Sequence, residues 1–468
     1  MARAGSHQPW EALVAFCGKT HAASWSHTGY TSRVSYTNRR FSPMLADAIL
    51  KKASEANATH TQLEVLEEQL HAVGTVDPIL VANAARVAEE LGLGTEWSWL
   101  SKPRFTFIDL FAGIGGMRLA AESEGGRCVG SVEINKQCSQ TYIDNFGDDP
   151  TGDITTIDPS VIDRHDLLLA GFPCQAFSIA GLRGGFEDTR GTLFRNVAEI
   201  IAAKQPDAFI LENVKGLVSH DHKKTLQVIL NTLVGEPLGY YLPQPHEPGR
   251  LQGEGWKVLN ALHFRVPQNR ERIFIVGFKD LRAAERFQFP NPGIEGQNGV
   301  SLQDVLEDGP RWRTPVHARH FLSNTYLQGL TRHRDHHRSL GQGFGFEIRD
   351  PNGHANALVG GGMGRERNLV LAQLPPVAGS LEQVKTTRND QNLRRMTPRE
   401  WARLQGFPEW FRPHATDTNA YKQFANSVAV PNVAAVIRAV RAAVEDAPSG
   451  AREGRIPPRQ LRIGLLGA

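Results

Sequence analysis

From Phe105 to Phe278, short apolar runs alternate with stretches of helical patterning. That alternation admits few architectures. Strand candidates are Phe105–Leu110, Arg127–Glu133, Asp166–Ala170, Asp207–Leu211, Trp256–Leu262 and Ile273–Phe278. Helix candidates are Gly116–Ser123, Leu193–Lys204 and Lys223–Leu233. Parallel strands need crossover helices, so the pattern predicts an α/β fold with a Rossmann-like, doubly wound, mostly parallel sheet. Ligands in such sheets bind outside the carboxyl ends of the strands. Residues at strand ends are therefore the candidates for chemistry.

The first strand runs into Asp109-Leu110-Phe111-Ala112-Gly113-Ile114-Gly115-Gly116 and then a helix. Glycines here let the backbone turn tightly and approach a ligand closely. The second strand ends at Glu133, a placement that suits a carboxylate gripping ribose hydroxyls. The glycines read GxGG rather than GxGxxG, which weakens a dinucleotide reading, since no room is set aside for a pyrophosphate. Gly152-Asp153-Ile154 offers a further carboxylate, where an adenine amino group could bind; a turn or cap role fits Asp153 equally well.

The most specific segment is Leu169-Ala170-Gly171-Phe172-Pro173-Cys174-Gln175. It puts a cysteine just past an apolar strand and a proline, at the sheet edge that faces the crevice. A lone cysteine is usually a buried structural group; that description fits Cys128, within an apolar strand, better than Cys174. The next strand ends in Leu211-Glu212-Asn213-Val214, and Gln268-Asn269-Arg270-Glu271-Arg272 precedes another. Alternation points Arg270 and Arg272 to one face.

Composition sets limits on the rest. The 468 residues carry a formal net charge of only +3, so a nucleic-acid face must be local. Between Arg311 and Arg349 there are seven Arg against two acids, Asp335 and Glu347, which supplies such a face. The four cysteines form no CxxC pair, so neither a zinc site nor a disulfide framework is indicated. His333, His336 and His337 beside Asp335 lack any thiolate, and positioning on phosphate suits them better than a metal; no metal is expected. No apolar run suggests a membrane span. The N-terminus lacks the order of a secretory signal, and the acid-free stretch from Lys19 to Arg40 reads as a disordered polar leader. Scattered thiols suit a reducing, cytoplasmic setting.

Five stretches are expected. Residues 1–100 form a partly helical extension, with helices at Thr61–Ala72 and Pro78–Leu91. Residues 101–289 carry the sheet. Residues 290–393 are an irregular module rich in Gly, Arg and His, with short strand-like pieces. Residues 394–447 return to helical patterning, and 448–468 are a Pro/Gly/Arg-rich tail.

These segments resemble the C5-cytosine-specific DNA methyltransferase family. The resemblance rests on DLFAGIGG (109–116), GFPCQAFS (171–178), LENV (211–214), QNRERIFIVG (268–277), RRMTPREWARLQGFP (394–408) and QFANSVAVP (423–431), in family order over roughly residues 103–440. It departs from many members at Ile134, where they carry Trp, and at Ala425, where they carry Gly. The resemblance implies the S-adenosylmethionine-dependent methyltransferase fold, with 290–393 as target-recognition domain. It implies catalysis by Cys174, flanked by Pro173 and Gln175, with Glu212, Arg270 and Arg272 on the base. Cofactor contacts carried over are Phe111, Gly113, Gly115, Glu133, Ile134, Asp153, Ile154, Leu193, Asn426 and Ser427. The Gly-rich stretch from Gly181 to Thr192, with Arg190, is similar to the family's closing loop. Gly341 to Phe346, Leu358 to Gly361, Asp417 to Tyr421 and Val218 to Asp221 look like the Dcm-like branch, which implies a CC-W-GG type of target.

The implied partners are S-adenosylmethionine and double-stranded DNA, with a restriction endonuclease as a genetic partner and monomeric action. An RNA cytosine methyltransferase could use the same catalytic segments, but the basic module favours DNA. A nucleotide-binding oxidoreductase leaves Cys174, Glu212 and the arginines unexplained. A DNA-binding regulatory role for the N-terminal helices stays open.

Overall fold

The computed structural model describes residues 103–150, 152–173, 193–243, 255–291, 300–343, 345–362, 364–384 and 388–445. The expected helices at Thr61–Ala72 and Pro78–Leu91, Cys174, Gln175, the 181–192 loop and the tail lie outside them. The chain divides into two compact units, 1–104 with 142–149, and 105–141 with 150–468. Of the first, only 103–104 and 142–149 are described. The second is described below.

The expected alternation is present. Strand β1 is Phe105–Leu110, followed by helix α1 (Gly116–Ser123), β2 (Gly126–Val132), α2 (Lys136–Phe146), β3 (Leu167–Gly171), α3 (Leu193–Lys204), β4 (Ala208–Val214) and α4 (Lys224–Val234). Then come β5 (Trp256–Asn260), the short β6 (Gln268–Asn269), β7 (Glu271–Phe278) and α5 (Leu281–Arg286). Helix α2 was not anticipated: KQCSQTYIDNF carries few large apolar side chains, so its pattern is faint.

Six strands form one sheet in the order β2-β1-β3-β4-β7-β5. Strands β2, β1, β3 and β4 are parallel, and β7 runs antiparallel to both β4 and β5. The chain leaves β1 in one direction through β2 and returns on its other side as β3. The ends of β1 and β3 are therefore the topological switch point, where doubly wound sheets open a crevice.

Both faces of the sheet are covered. On one, Ile108, Leu110, Leu168, Ala170, Phe209 and Leu211 join Phe194, Val197 and Ile201 of α3 and Ile229 and Leu233 of α4 in a single core. Strands buried on both faces read as continuous apolar runs, which is why Leu167-Leu168-Leu169-Ala170 was legible. On the other face α1 packs against the last helix, α10 (Val430–Glu445).

Residues 300–384 are less strand-like than expected. Their most extensive element is helix α6 (Asn324–Ser339). Only Leu327 and Leu330 of it are buried, and its sequence NTYLQGLTRHRDHHRS is too polar to show a wide apolar stripe. Two-residue strand β8 (Ala355–Asn356) runs parallel to β6, and β9 (Leu369–Leu371) pairs antiparallel with β10 (Leu393–Arg395). A short helix α7 (Ser380–Gln383) lies between β9 and β10.

The RRMTPREW segment proves architectural. Thr397 and Glu400 form a reciprocal capping box at the start of α8 (Pro398–Leu404). The fully buried Arg394 guanidinium binds Glu400 at 2.8 and 2.9 Å and also pairs with Asp308. Helix α9 (Asp417–Asn426) and α10 follow, with a break at Ser427. By length and composition alone, Asp417–Glu445 would suffice to cross a membrane, but it is broken at Ser427. Its apolar residues Val433, Val436, Ile437 and Val440 are buried in the fold.

Candidate active site

The turn after β1 is held in left-handed backbone at Phe111 (φ 58°), Gly113 (φ 57°) and Gly115 (φ 85°). A non-glycine residue seldom adopts that geometry, and Phe111 does so where the chain must fold back onto the strand ends. Glu133 closes the turn. Its Oε2 accepts from Gly113 N at 2.8 Å, and its Oε1 accepts from Asn135 N at 2.7 Å. The carboxylate is thus oriented at the end of β2, beside the 67% exposed side chain of Ile134. Ser427 reaches the same turn: a Cβ added at Gly116 would stand 2.6 Å from Ser427 Oγ.

Other expected cofactor positions are placed differently. Asp153 Oδ1 caps its own turn, accepting from Thr155 N at 2.9 Å and Thr155 Oγ1 at 2.8 Å. The Ile154 side chain is buried in the core. Leu193 is half-buried at the start of α3, and Asn426 is exposed at the end of α9.

Asp109, one residue before the end of β1, is buried beside Arg118. Burial pushes its carboxyl up to about 7, with the Arg118 backbone N–H and guanidinium drawing it back down.

At the next strand ends, Gly171 of β3 pairs with Glu212 of β4. Pro173 is exposed just beyond. Asn213 holds the end of β3, donating from Nδ2 to the carbonyl of Phe172 at 2.8 Å. Sequence reading gave Asn213 no role. Its place directly after the Glu of a strand end was the available signal.

Glu212 is buried, and Arg272 Nε lies 3.1 Å from its Oε1. Burial raises the Glu212 pKa, opposed by Arg272 and, more weakly, Arg270. The two arginines have different partners. Arg270 is 2% exposed and donates to the carbonyls of Ala425 (2.9 Å), Ser427 (2.6 Å) and Leu358 (3.4 Å). Arg270 lies between β6 and β7 with its Nη1 and Nη2 on backbone carbonyls, while Arg272 carries the contact to Glu212. Burial also lowers the Arg270 pKa to about 9.

A cleft of about 410 Å³ opens past β4 and β7. One side is Val214, Lys215, Asn269, Glu271 and Arg272; the other is Asn356, Val359 and Arg367. Lys215 Nζ bridges both oxygens of Glu271 at 2.8 and 3.0 Å. Gln268 ties the two sides together: its Oε1 accepts from Leu358 N at 3.1 Å, and its Nε2 donates to Leu404 O at 2.6 Å.

Cys128 and Cys138 are unsuited to attack. Burial pushes both thiols up to about 12. Among the described residues no group of three His, Cys, Asp or Glu could hold a metal.

A glycine turn at the switch point, a buried carboxylate–guanidinium pair at a neighbouring strand end and a cleft beyond it are the arrangement of an enzyme that holds a small cofactor and a separate substrate. The comparisons specify it. The C-5 cytosine-specific DNA methylase family matches residues 105–442, and the chain belongs to that family. It is 49% identical over 336 residues to the Type II methyltransferase M.HpaII of Haemophilus parainfluenzae, covering 71% of this chain and 88% of that protein. It is 42% identical over 342 residues to the Type II methyltransferase M.DsaV of Dactylococcopsis salina, covering 73% and 86%. In fold it is similar to the S. pombe Dnmt2 methyltransferase, with TM-score 0.51, 21% identity and coverage of 72% of this chain and 98% of that one. A Spodoptera frugiperda DNMT2 mutant is similar at TM-score 0.53, 19% identity, 72% and 99%. The protein is a methyltransferase that acts on C5 of cytosine in DNA.

Proposed function

We propose that the chain methylates cytosine in duplex DNA through a transient bond from Cys174 to C6 of the base. The observation that carries the reading is Glu212, buried, paired to Arg272 and level with Gly171 of β3, three residues before Cys174 in sequence.

The residues around the glycine turn fit S-adenosylmethionine. Glu133 is presented as an acceptor for ribose hydroxyls, the exposed Ile134 offers an apolar face for adenine, and the left-handed turn leaves its backbone open to the methionine end. When bound, S-adenosylmethionine supplies the methyl group on a sulfonium leaving group. Phe111, Gly113, Gly115, Glu133, Ile134 and Ser427 would hold it. Asp153, Leu193 and Asn426 are further proposed contacts.

Cytosine C6 is a poor electrophile, so a soft nucleophile is needed, and a thiol of ordinary pKa about 8.5 is only partly ionised near neutral pH. A cationic side chain beside the thiol would favour the thiolate. Attack forms the S–C6 bond and shifts the C5=C6 electron pair toward C5, while Glu212 holds N3 and N4 and supplies a proton at N3. Arg272 steadies O2. C5 takes the methyl, water accepts the C5 proton, the electrons of that C–H bond restore the double bond as Cys174 departs as thiolate, and N3 returns its proton to Glu212. The cytosine must first leave the duplex, at a cost of a few kcal/mol.

Residues 290–393 serve as the target-recognition domain, with Asn356 and Arg367 facing the base-side cleft. A CC-W-GG type of target, monomeric action, a cytoplasmic setting and pairing with a restriction endonuclease follow from the resemblance. Transfer of tritiated methyl to duplex DNA but not to tRNA tests the substrate. Equal labelling of both would sink the duplex-DNA reading.

A further inference from the structure

Helix α6 presents a cationic surface that the active site does not use. Arg332, His333, His336 and Arg338 are exposed, and Arg334 and His337 are half-buried. The helix has one acid, Asp335, which pairs with its neighbour Arg334 at 3.2 Å. A solvated helix face normally mixes charges of both signs. The helix dipole favours cations in the last turn, where His336, His337 and Arg338 stand; Arg332 and His333 lie a turn earlier.

The helix is firmly seated. Leu327 and Leu330 are buried with Phe346, Leu369 and Leu393. The Arg334 guanidinium stacks 4.5 Å over Phe346, and Tyr326 OH donates to Glu366 Oε1 at 3.1 Å. Those anchors adjoin the base-side cleft. Glu347, next to Phe346, accepts from Asn356 Nδ2 at 3.0 Å, and Glu366 precedes Arg367. Asn356 and Arg367 both line the cleft. Helix α6 therefore stands about one side-chain layer behind the cleft wall.

We propose that the solvent face of α6 binds phosphates of the duplex flanking the target, as a docking surface separate from the base-reading cleft. This rests on the reading of 290–393 as DNA-contacting. A helix of 16 residues spans about 24 Å. Duplex DNA carries a charge every 1.7 Å or so of its axis, so several phosphates fall within reach.

The test uses the full chain, a fluorescent duplex of about three helical turns that the protein methylates, and salt from about 50 to 200 mM. Each lost phosphate contact lowers the slope of log affinity against log salt by about 0.9. The double variant Arg332→Gln/Arg338→Gln should flatten that slope by about two, so wild type loses about tenfold more affinity than the variant across this range. S-adenosylmethionine binding and melting temperature of the variant check its fold. Asp335→Asn removes only the carboxylate and should tighten binding at low salt. Slopes equal to wild type in the double variant, or no tightening with Asp335→Asn, would overturn the proposal. Failure of the wild-type protein to bind duplex at any salt would instead overturn the DNA-contact reading on which it rests.

Discussion

Arg272 Nε stands 3.1 Å from Glu212 Oε1, joining the ends of two adjacent antiparallel strands beside the cleft that Arg272 lines. The pair is nearly buried, so each group fixes the other in place and neither is free to swing to solvent. Glu212→Gln keeps the size of the side chain and removes the carboxyl. Proton transfer by a positioned side chain is worth about 10²–10⁴-fold. Single-turnover methylation should therefore fall by about 100-fold or more, while a gel-shift assay still shows duplex binding. Undiminished methylation would remove Glu212 from the chemistry.

Arg270 presents a different case, because its guanidinium braces three backbone carbonyls. Hydrogen bonds to charged groups contribute about 1.5–3 kcal/mol each, and buried partners left unsatisfied add to the loss. Arg270→Met should lower stability by about 3 kcal/mol or more and weaken S-adenosylmethionine binding, since Ser427 sits on the strap released. Arg270→Lys should recover only part, lacking the planar fork. A variant with normal melting and normal cofactor affinity, but lost turnover, would place Arg270 on the base after all.

Asp109 makes stability depend on pH. Its folded-state pKa is raised to about 7 from 3.8 by burial, so the folded protein holds a proton that the unfolded chain has released between those values. Stability should thus fall as pH rises from about 4 to about 7 and then level off. Asp109→Asn removes that loss. Its melting temperature should exceed wild type at pH 8 and converge with it near pH 4. The ceiling on the gain is about 4 kcal/mol. Parallel curves for the two proteins would show that the carboxyl is not titrating in this window.

Much of this was legible in the chain because apolar runs and strand ends leave direct marks. The core strands β1, β3 and β4 came through because burial on both faces makes them continuously apolar, and the turn after β1 because its glycines are needed at positive φ. Helix α6 was hidden by its polarity, with only two buried apolar side chains. The different partners of Arg270 and Arg272 were also hidden: alternation along a strand cannot show that carbonyls of residues 358, 425 and 427 converge on one of them. Asn213 was in plain view, but its function depends on which carbonyl lies across the sheet edge.

The central claim is the bond from Cys174 to the base. The direct measurement is the mass of the protein after reaction, with S-adenosylmethionine present, on a duplex whose cytosines are all 5-fluorocytosine. Fluorine replaces the proton that must leave C5, so elimination is blocked and the thioether persists. The account predicts a covalent protein–DNA species whose modified peptide contains Cys174, absent from Cys174→Ser. No adduct from a preparation that methylates ordinary duplex, or methylation by Cys174→Ser at the wild-type rate, would contradict it.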